Sequence, residues 1–136
     1  ESDGSPGLPL MYSGLFPTVD DIAKVAKLFS EGGTYNGRQL LHSDKLSEAL
    51  YRTDIKPGRP TREWGYEYHL SFWLKPSPWW LRNSGCKIWI PMMSGYGGNV
   101  FMLLPNGTTA FSLADNWNWD EGLIRAAHDV SRLCPN

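Results

Sequence analysis

The sequence predicts an α+β domain, an antiparallel sheet with flanking helices, on three observations. Two helical stripes open the chain and one closes it. Between them the apolar period drops to two, as along strands. A Pro-Asn-Gly turn then joins two of those strand-like runs. Strands gathered between helices favour helices packed on one antiparallel sheet.

Residues 1–17 are rich in Gly, Pro and Ser and read as an irregular lead-in to a single α+β domain over 18–136. Thr18 stands before Val19, Asp20, Asp21 and Ile22, an N-cap with two acids facing the unpaired amides of a first turn. Val19, Ile22, Ala23, Ala26 and Phe29 form the helical stripe, which Gly32 and Gly33 end. Asn36-Gly37 marks a turn. Ser43 is expected to cap a second short helix carrying Leu46, Ala49 and Leu50. Residues 54–62 form a polar loop. Trp64, Tyr66, Tyr68, Leu70 and Phe72 then alternate as along one strand. Residues 76–85, with Pro76, Pro78 and Gly85, read as a loop. Strands follow over 87–93, 99–104 and 108–114. Pro105-Asn106-Gly107 makes a hairpin turn between the last two, since Asn and Gly both accept positive φ. A helix over 119–133 presents Leu123, Ala127 and Val130, joined by Ile124, as its inner face.

The 136 residues suffice for one core. Net charge is -1 with Lys and Arg scattered, so no basic stripe points to nucleic acid. No apolar run approaches the roughly 20 residues of a membrane helix. A charged, then apolar, leader is not seen, and the first residue is not Met, so a mature, processed or truncated form is expected. No cofactor is expected. Five of the seven Trp fall between Trp64 and Trp89, a density that suits a core or the burial of a partner's surface more than a flat or sugar-like ligand. Cys86 and Cys134 either pair or stay free, and export would favour pairing.

The segment with most chemical content is Met93-Ser94-Gly95-Tyr96-Gly97-Gly98-Asn99. Three Gly within four positions between strand-like runs mark either a tight connection or a strand edge that a ligand approaches closely. Followed by a hairpin with Pro105-Asn106-Gly107 at its turn, this segment resembles the third motif of the class C β-lactamase family of serine hydrolases, which includes D-aminopeptidases and related esterases. The run from Thr109 to Asn116 looks like the family's last strand. Upstream, Gly14 to Lys24 is similar to its helix start, Gly32-Gly33-Thr34-Tyr35-Asn36-Gly37-Arg38-Gln39-Leu40-Leu41 to its connection, and Trp64-Gly65-Tyr66 to one of its strands. The resemblance covers roughly residues 12–133 in the family's order.

That resemblance implies the C-terminal portion of the β-lactamase/transpeptidase-like fold. Met93, Ser94, Gly95 and Tyr96 would then bind an ester or amide substrate along one wall of the active site, with a backbone N–H helping to hold the oxyanion. Met93 stands where the family has Lys or His, and thioether carries neither charge nor N–H. The family's Ser-x-x-Lys nucleophile opens a helix. Ser84-Gly85-Cys86-Lys87 matches the spacing but leads into a strand, and Tyr12-Ser13-Gly14 does not match the Tyr-x-Asn motif. The resemblance therefore implies that a missing N-terminal part, or another chain supplying it, carries the nucleophile. It also implies a periplasmic or secreted protein. The alternative is a non-catalytic binding or interaction module that retains the sheet.

His42, His69 and His128 have no second ligand at metal-binding spacing and read as structural. Asn106-Gly107-Thr108 is a glycosylation sequon, which the hairpin turn explains without sugar.

Overall fold

The computed structural model describes residues 17–50, 59–60, 65–95, 98–113 and 120–134. The lead-in up to residue 16, most of the expected polar loop at 54–62, and Trp64, Tyr96, Gly97, Asn116 and Trp119 lie outside them. Among the described residues, four helices and eight strands are laid out as α+β, with one large antiparallel sheet between helices.

The first helix, α1 (Val19–Ser30), starts where the sequence places it. Thr18 Oγ1 accepts from the Asp21 amide at 3.2 Å, and Asp21 accepts in return from the Thr18 amide at 3.0 Å, a reciprocal capping box. The Thr18 hydroxyl also donates to Asp21 Oδ2 at 2.7 Å, and that bond first, then the one from the Thr18 amide, holds the Asp21 carboxyl below its ordinary range, with Lys24 adding to the effect. After α1 comes a small hairpin, β1 (Thr34–Tyr35) and β2 (Arg38–Gln39), turned by Asn36 and Gly37 at φ 49° and 75°. Gly33 accepts from the amides of Leu40 and Leu41 at 2.8 and 3.1 Å. A Cβ there would stand 2.6 Å from the Leu41 carbonyl at a φ of 88°, so only glycine fits.

The second helix, α2 (Ser43–Ala49), corrects one expectation. His42 occupies the cap position and makes no side-chain cap bond. Ser43 is already helical, and its hydroxyl turns to Asp44 at 3.4 Å instead.

The large sheet runs in chain order: β3 (Arg59–Pro60), β4 (Glu67–His69), β5 (Phe72–Pro76), β6 (Trp89–Ser94), β7 (Val100–Leu103) and β8 (Thr109–Ser112). Two corrections fall here. Part of the expected polar loop pairs as β3, Arg59 against Tyr68. The single strand expected to end at Phe72 is instead a hairpin, with His69 opposite Phe72 and Leu70 and Ser71 at φ 44° and 69° between them. Positive φ at both turn residues is the requirement of a type I′ turn, which Asn and Gly meet most easily. Leu70 meets it at a cost and sits 51% exposed.

The expected loop at 76–85 also contains a helix, α3 (Trp79–Asn83). Pro78 does not break it, because it sits at the start, where a missing N–H costs nothing. The Pro78 carbonyl accepts from Leu81 and Arg82. Buried Ser77 closes the loop, donating its hydroxyl to the Cys86 carbonyl at 3.0 Å.

Strand alternation splits the core in two. On one face Ile90, Met92, Val100, Met102 and Leu104 pack against Leu81 of α3 and against α4 (Asp120–Val130). Ile124 and Ala127 are the buried residues of α4. Val130, expected on that inner face, is 79% exposed. Seven residues after Leu123 it returns to the rim of the stripe, where Leu123 is itself half-buried. On the other face Phe72 and Leu103 pack against Leu46, Ala49 and Leu50 of α2, with Phe29 of α1 meeting Phe72 edge-on at 5.9 Å.

Cys86 and Cys134 form a disulfide, Cα atoms 5.9 Å apart. It ties the end of the α3 loop to the segment after α4. Trp80 strengthens the same contact. Its ring lies 4.8 Å from the Arg125 guanidinium and 5.4 Å from the His128 ring.

Candidate functional site

The segment singled out by sequence lies at the end of β6 and the start of the β6–β7 hairpin. Its backbone directions follow from two bonds. Gly95 donates to the Asn99 carbonyl across the hairpin at 2.9 Å, and Ser77 donates to the Ile88 carbonyl on the β5 side at 2.9 Å. In an antiparallel ladder successive residues point their N–H and C=O to opposite neighbours. Ile88, Ile90, Met92 and Ser94 therefore face β5, while Pro91, Met93 and Gly95 face β7.

Pairing between β5 and β6 ends at Trp73 opposite Met92. Two residues further on, Ser94 stands level with Ser71, inside the β4–β5 turn. Among the described residues none of β5 pairs with Ser94, and the alternation turns its N–H and C=O to the side of that turn. The Gly95 amide, by contrast, is committed to Asn99. Neither crowding nor φ demands glycine at position 95, since a Cβ there would meet only Asn99 Cβ, at 4.0 Å.

The side chains divide. Met93 points to the α1–α2 face and packs half-buried against the cluster of Leu46, Ala49, Leu50, Phe72 and Leu103. Ser94 points to the opposite face, half-buried. Of the four residues sequence picks out, then, the structure places Ser94 at the end of β6, Gly95 just beyond it and Met93 in the packing beneath. Tyr96 lies outside the described residues.

Pro91 adds a feature that sequence reasoning did not extract. It faces β7 opposite Leu103 and has no N–H to give, so the β6–β7 ladder stops at Met92 opposite Met102. Pro105 lies one step beyond Leu104 on the same side. The strands part there around a shallow cavity of about 270 Å³ lined by Leu50, Lys87, Trp89, Pro91, Leu103 and Pro105. The signal was a proline on each strand, both at positions directed toward the other strand, legible only once register is known.

Ser84-Gly85-Cys86-Lys87 has the wrong surroundings for a nucleophile. Ser84 is the C-terminal cap of α3 and donates its hydroxyl to the Leu81 carbonyl at 2.7 Å. Cys86 is in the disulfide. The three His are spread over the molecule. His42 starts α2, and His69 Nε2 lies 3.8 Å from Glu48 Oε1. His128 Nδ1 accepts from the Leu133 amide at 3.3 Å. Glu48 also pairs with Lys45 at 2.9 Å, which holds its carboxyl below the ordinary range. Among the described residues no three metal-ligating side chains come together, and no helix is long and apolar enough to cross a membrane.

The sequon residue has a structural task. Asn106 Nδ2 donates to the Ala127 and Ser131 carbonyls at 3.0 and 2.6 Å, and its Oδ1 accepts from the Thr108 amide at 3.1 Å. A sugar on Nδ2 would compete with the bonds that join this turn to α4.

A second groove, about 320 Å³, runs between α1 and β8, lined by Val19, Ile22, Ala23, Ala26, Thr109 and Phe111 among others. No protein-family model, curated protein or solved structure matches this chain.

Proposed function

We propose that this chain is the C-terminal portion of a β-lactamase-related serine hydrolase, a catalyst of acyl transfer or hydrolysis on amides or esters. It contributes the sheet wall of the active site and not the nucleophile. The observation that carries the reading is Ser94, whose backbone N–H and C=O are directed to the β5 side past the last paired residue of β5, at the position the resembled motif uses to meet substrate. An extended amide or ester lying there would add to β6 as a short strand. Its carbonyl would be polarised by a backbone donor held rigid by the sheet. Gly95 and Tyr96 continue this wall in sequence, and Met93 supports it from below. The serine comes from the part of the protein upstream. The disulfide fits an exported, periplasmic or secreted protein, because such bonds persist in oxidising compartments.

A second reading is favoured by one specific observation. Met93, at the position of the family's Lys or His, packs as an apolar residue against Phe72 and its neighbours. A module that keeps the sheet for binding and has lost the chemistry accommodates that without difficulty.

One experiment separates the two. The full-length polypeptide from its source is treated with a fluorophosphonate and with a penicillin probe. Label on an upstream serine within a Ser-x-x-Lys sequence supports the hydrolase. An upstream region that takes neither label leaves the binding module. A reading frame that starts immediately before Glu1 sinks the first proposal.

A further inference from the structure

We infer that the cavity between the parting ends of β6 and β7 is a binding site for a small arylcarboxylate, its ring against Trp89 and the two prolines and its carboxylate at Lys87. Lys87 stands seven residues before Ser94, up to about 23 Å away along extended chain. The site is therefore separate from the wall at Ser94 and does not rest on the hydrolase reading.

The strand period assembles the lining. Trp89 and Pro91 share the parity of Met93, whose side chain lies on the α1–α2 face, and Leu103 shares that of Phe101, which packs on the same face. Pro105 continues the β7 row, and Lys87 continues the β6 row at the rim. Leu50, the C-terminal cap of α2, meets them from the helix side.

The opening is built into the chain. Pro91 and Pro105 are both directed at the opposite strand, and neither has an N–H with which to draw the strands together. Their rings are rigid, so little freedom is lost when a ligand packs on them. The floor is closed, with Leu50 and Leu103 only 2% and 4% exposed and Pro91 buried.

Size and chemistry select the ligand. An apolar cavity of about 150 Å³ holds a benzene ring. The 270 Å³ here takes one or two fused rings with a polar group at the mouth. Two proline rings and an indole present flat surfaces, which suit another flat ring better than a flexible chain. Charge then decides the polar end. Lys87 is exposed, and among the described lining residues it is the only ionisable one. Among the described residues no carboxylate pairs with it. A ligand carboxylate would gain a charge-assisted hydrogen bond there, and an ammonium would meet a like charge.

The test is isothermal titration of the polypeptide, in the form its source makes it, with naphthoate, naphthamide and octanoate. Naphthoate is expected to bind with a Kd of about 0.3 mM. The neutral amide, alike in shape, should bind about five-fold more weakly, and octanoate, alike in charge but flexible, also about five-fold more weakly. Lys87→Gln is expected to abolish the preference for naphthoate over naphthamide while leaving amide binding unchanged, which also shows that the variant is folded. Lys87→Arg should keep the preference. Lys27→Gln, in the other groove between α1 and β8, should alter nothing. Absence of naphthoate binding up to about 5 mM overturns the site. Equal binding of naphthoate and naphthamide by the parent protein overturns the anion pocket without recourse to any variant. A preference that survives Lys87→Gln, or is lost with Lys27→Gln, places the ligand elsewhere and overturns the assignment. Octanoate bound as tightly as naphthoate overturns the choice of an aromatic acid.

Discussion

The side-chain amide of Asn106 donates to the carbonyl of Ala127, 21 residues away, and so joins the β7–β8 turn to the last turn of α4. The neighbouring bond to Ser131 satisfies a further carbonyl at the same helix end. Ala127 already accepts from the Ser131 amide at 3.2 Å, so Asn106 adds a second donor there and supplies one to the Ser131 carbonyl beyond the helix end. Asn106→Ala is expected to lower stability by about 1–3 kcal/mol. Asn106→Asp should cost more, because a carboxylate cannot donate and would face the negative end of the helix. Urea denaturation measures both, and an unchanged midpoint for the Asp variant would contradict the assignment.

The disulfide between Cys86 and Cys134 spans 48 residues of sequence. Closing a loop of that size removes denatured-state freedom worth about 4 kcal/mol. The double variant Cys86→Ala, Cys134→Ala should therefore lose about that much, and the parent should lose a similar amount when reductant is added. A parent protein indifferent to reductant would mean that the bridge restrains little.

Leu70 and Ser71 hold positive φ in the β4–β5 turn. For residues with side chains that conformation costs about 1–2 kcal/mol. Leu70→Asn with Ser71→Gly is expected to raise the thermal midpoint by a few degrees. The opposite pair, Leu70→Val with Ser71→Val, should lower it. Calorimetry distinguishes these outcomes, and a fall with Asn-Gly would argue that the Leu70 side chain is needed elsewhere.

Asp21 and Glu48 both ionise more readily in the folded chain, Asp21 chiefly through Thr18 and Glu48 chiefly through Lys45. A carboxyl lowered in this way adds stability above its unfolded value and loses it as pH falls through the folded one. Stability should therefore decline on acidification below about pH 4. Asp21→Asn and Glu48→Gln should be less stable than the parent at neutral pH and approach it in acid. Denaturation across pH 2 to 7, as a rough range, tests this, and parallel curves would refute it.

Where a local interaction decides an element, the sequence is a sufficient guide. The Thr18–Asp21 capping box and the Asn36-Gly37 and Asn106-Gly107 turns are of this kind. Their bonds join residues a few positions apart. The β4–β5 turn was not legible, because Leu70 and Ser71 lack turn chemistry and are bent by the pairing of their flanks. The short α3 was hidden by Pro76 and Pro78, which look like breakers unless the helix is known to start between them and Leu81. At the candidate site the glycine-rich segment stood out, but the direction of Ser94 depends on where β5 ends relative to β6. That is a long-range relation without a local signal. Packing of Met93 beneath the wall has the same origin, and so does the pairing of the two cysteines.

The bridge at Cys86 has a topological consequence. Everything from Cys86 to Cys134, which includes β6, β7, β8 and α4, is one covalent macrocycle, whereas α1, α2 and the β4–β5 hairpin lie outside it. A protease cutting once inside the macrocycle, at either hairpin, opens it without releasing a fragment. A cut before Cys86 severs the N-terminal helices outright. The strand that carries Ser94 is therefore held with β7, β8 and α4 in one closed loop of chain, and the α1–α2 layer is joined to it by a single covalent path.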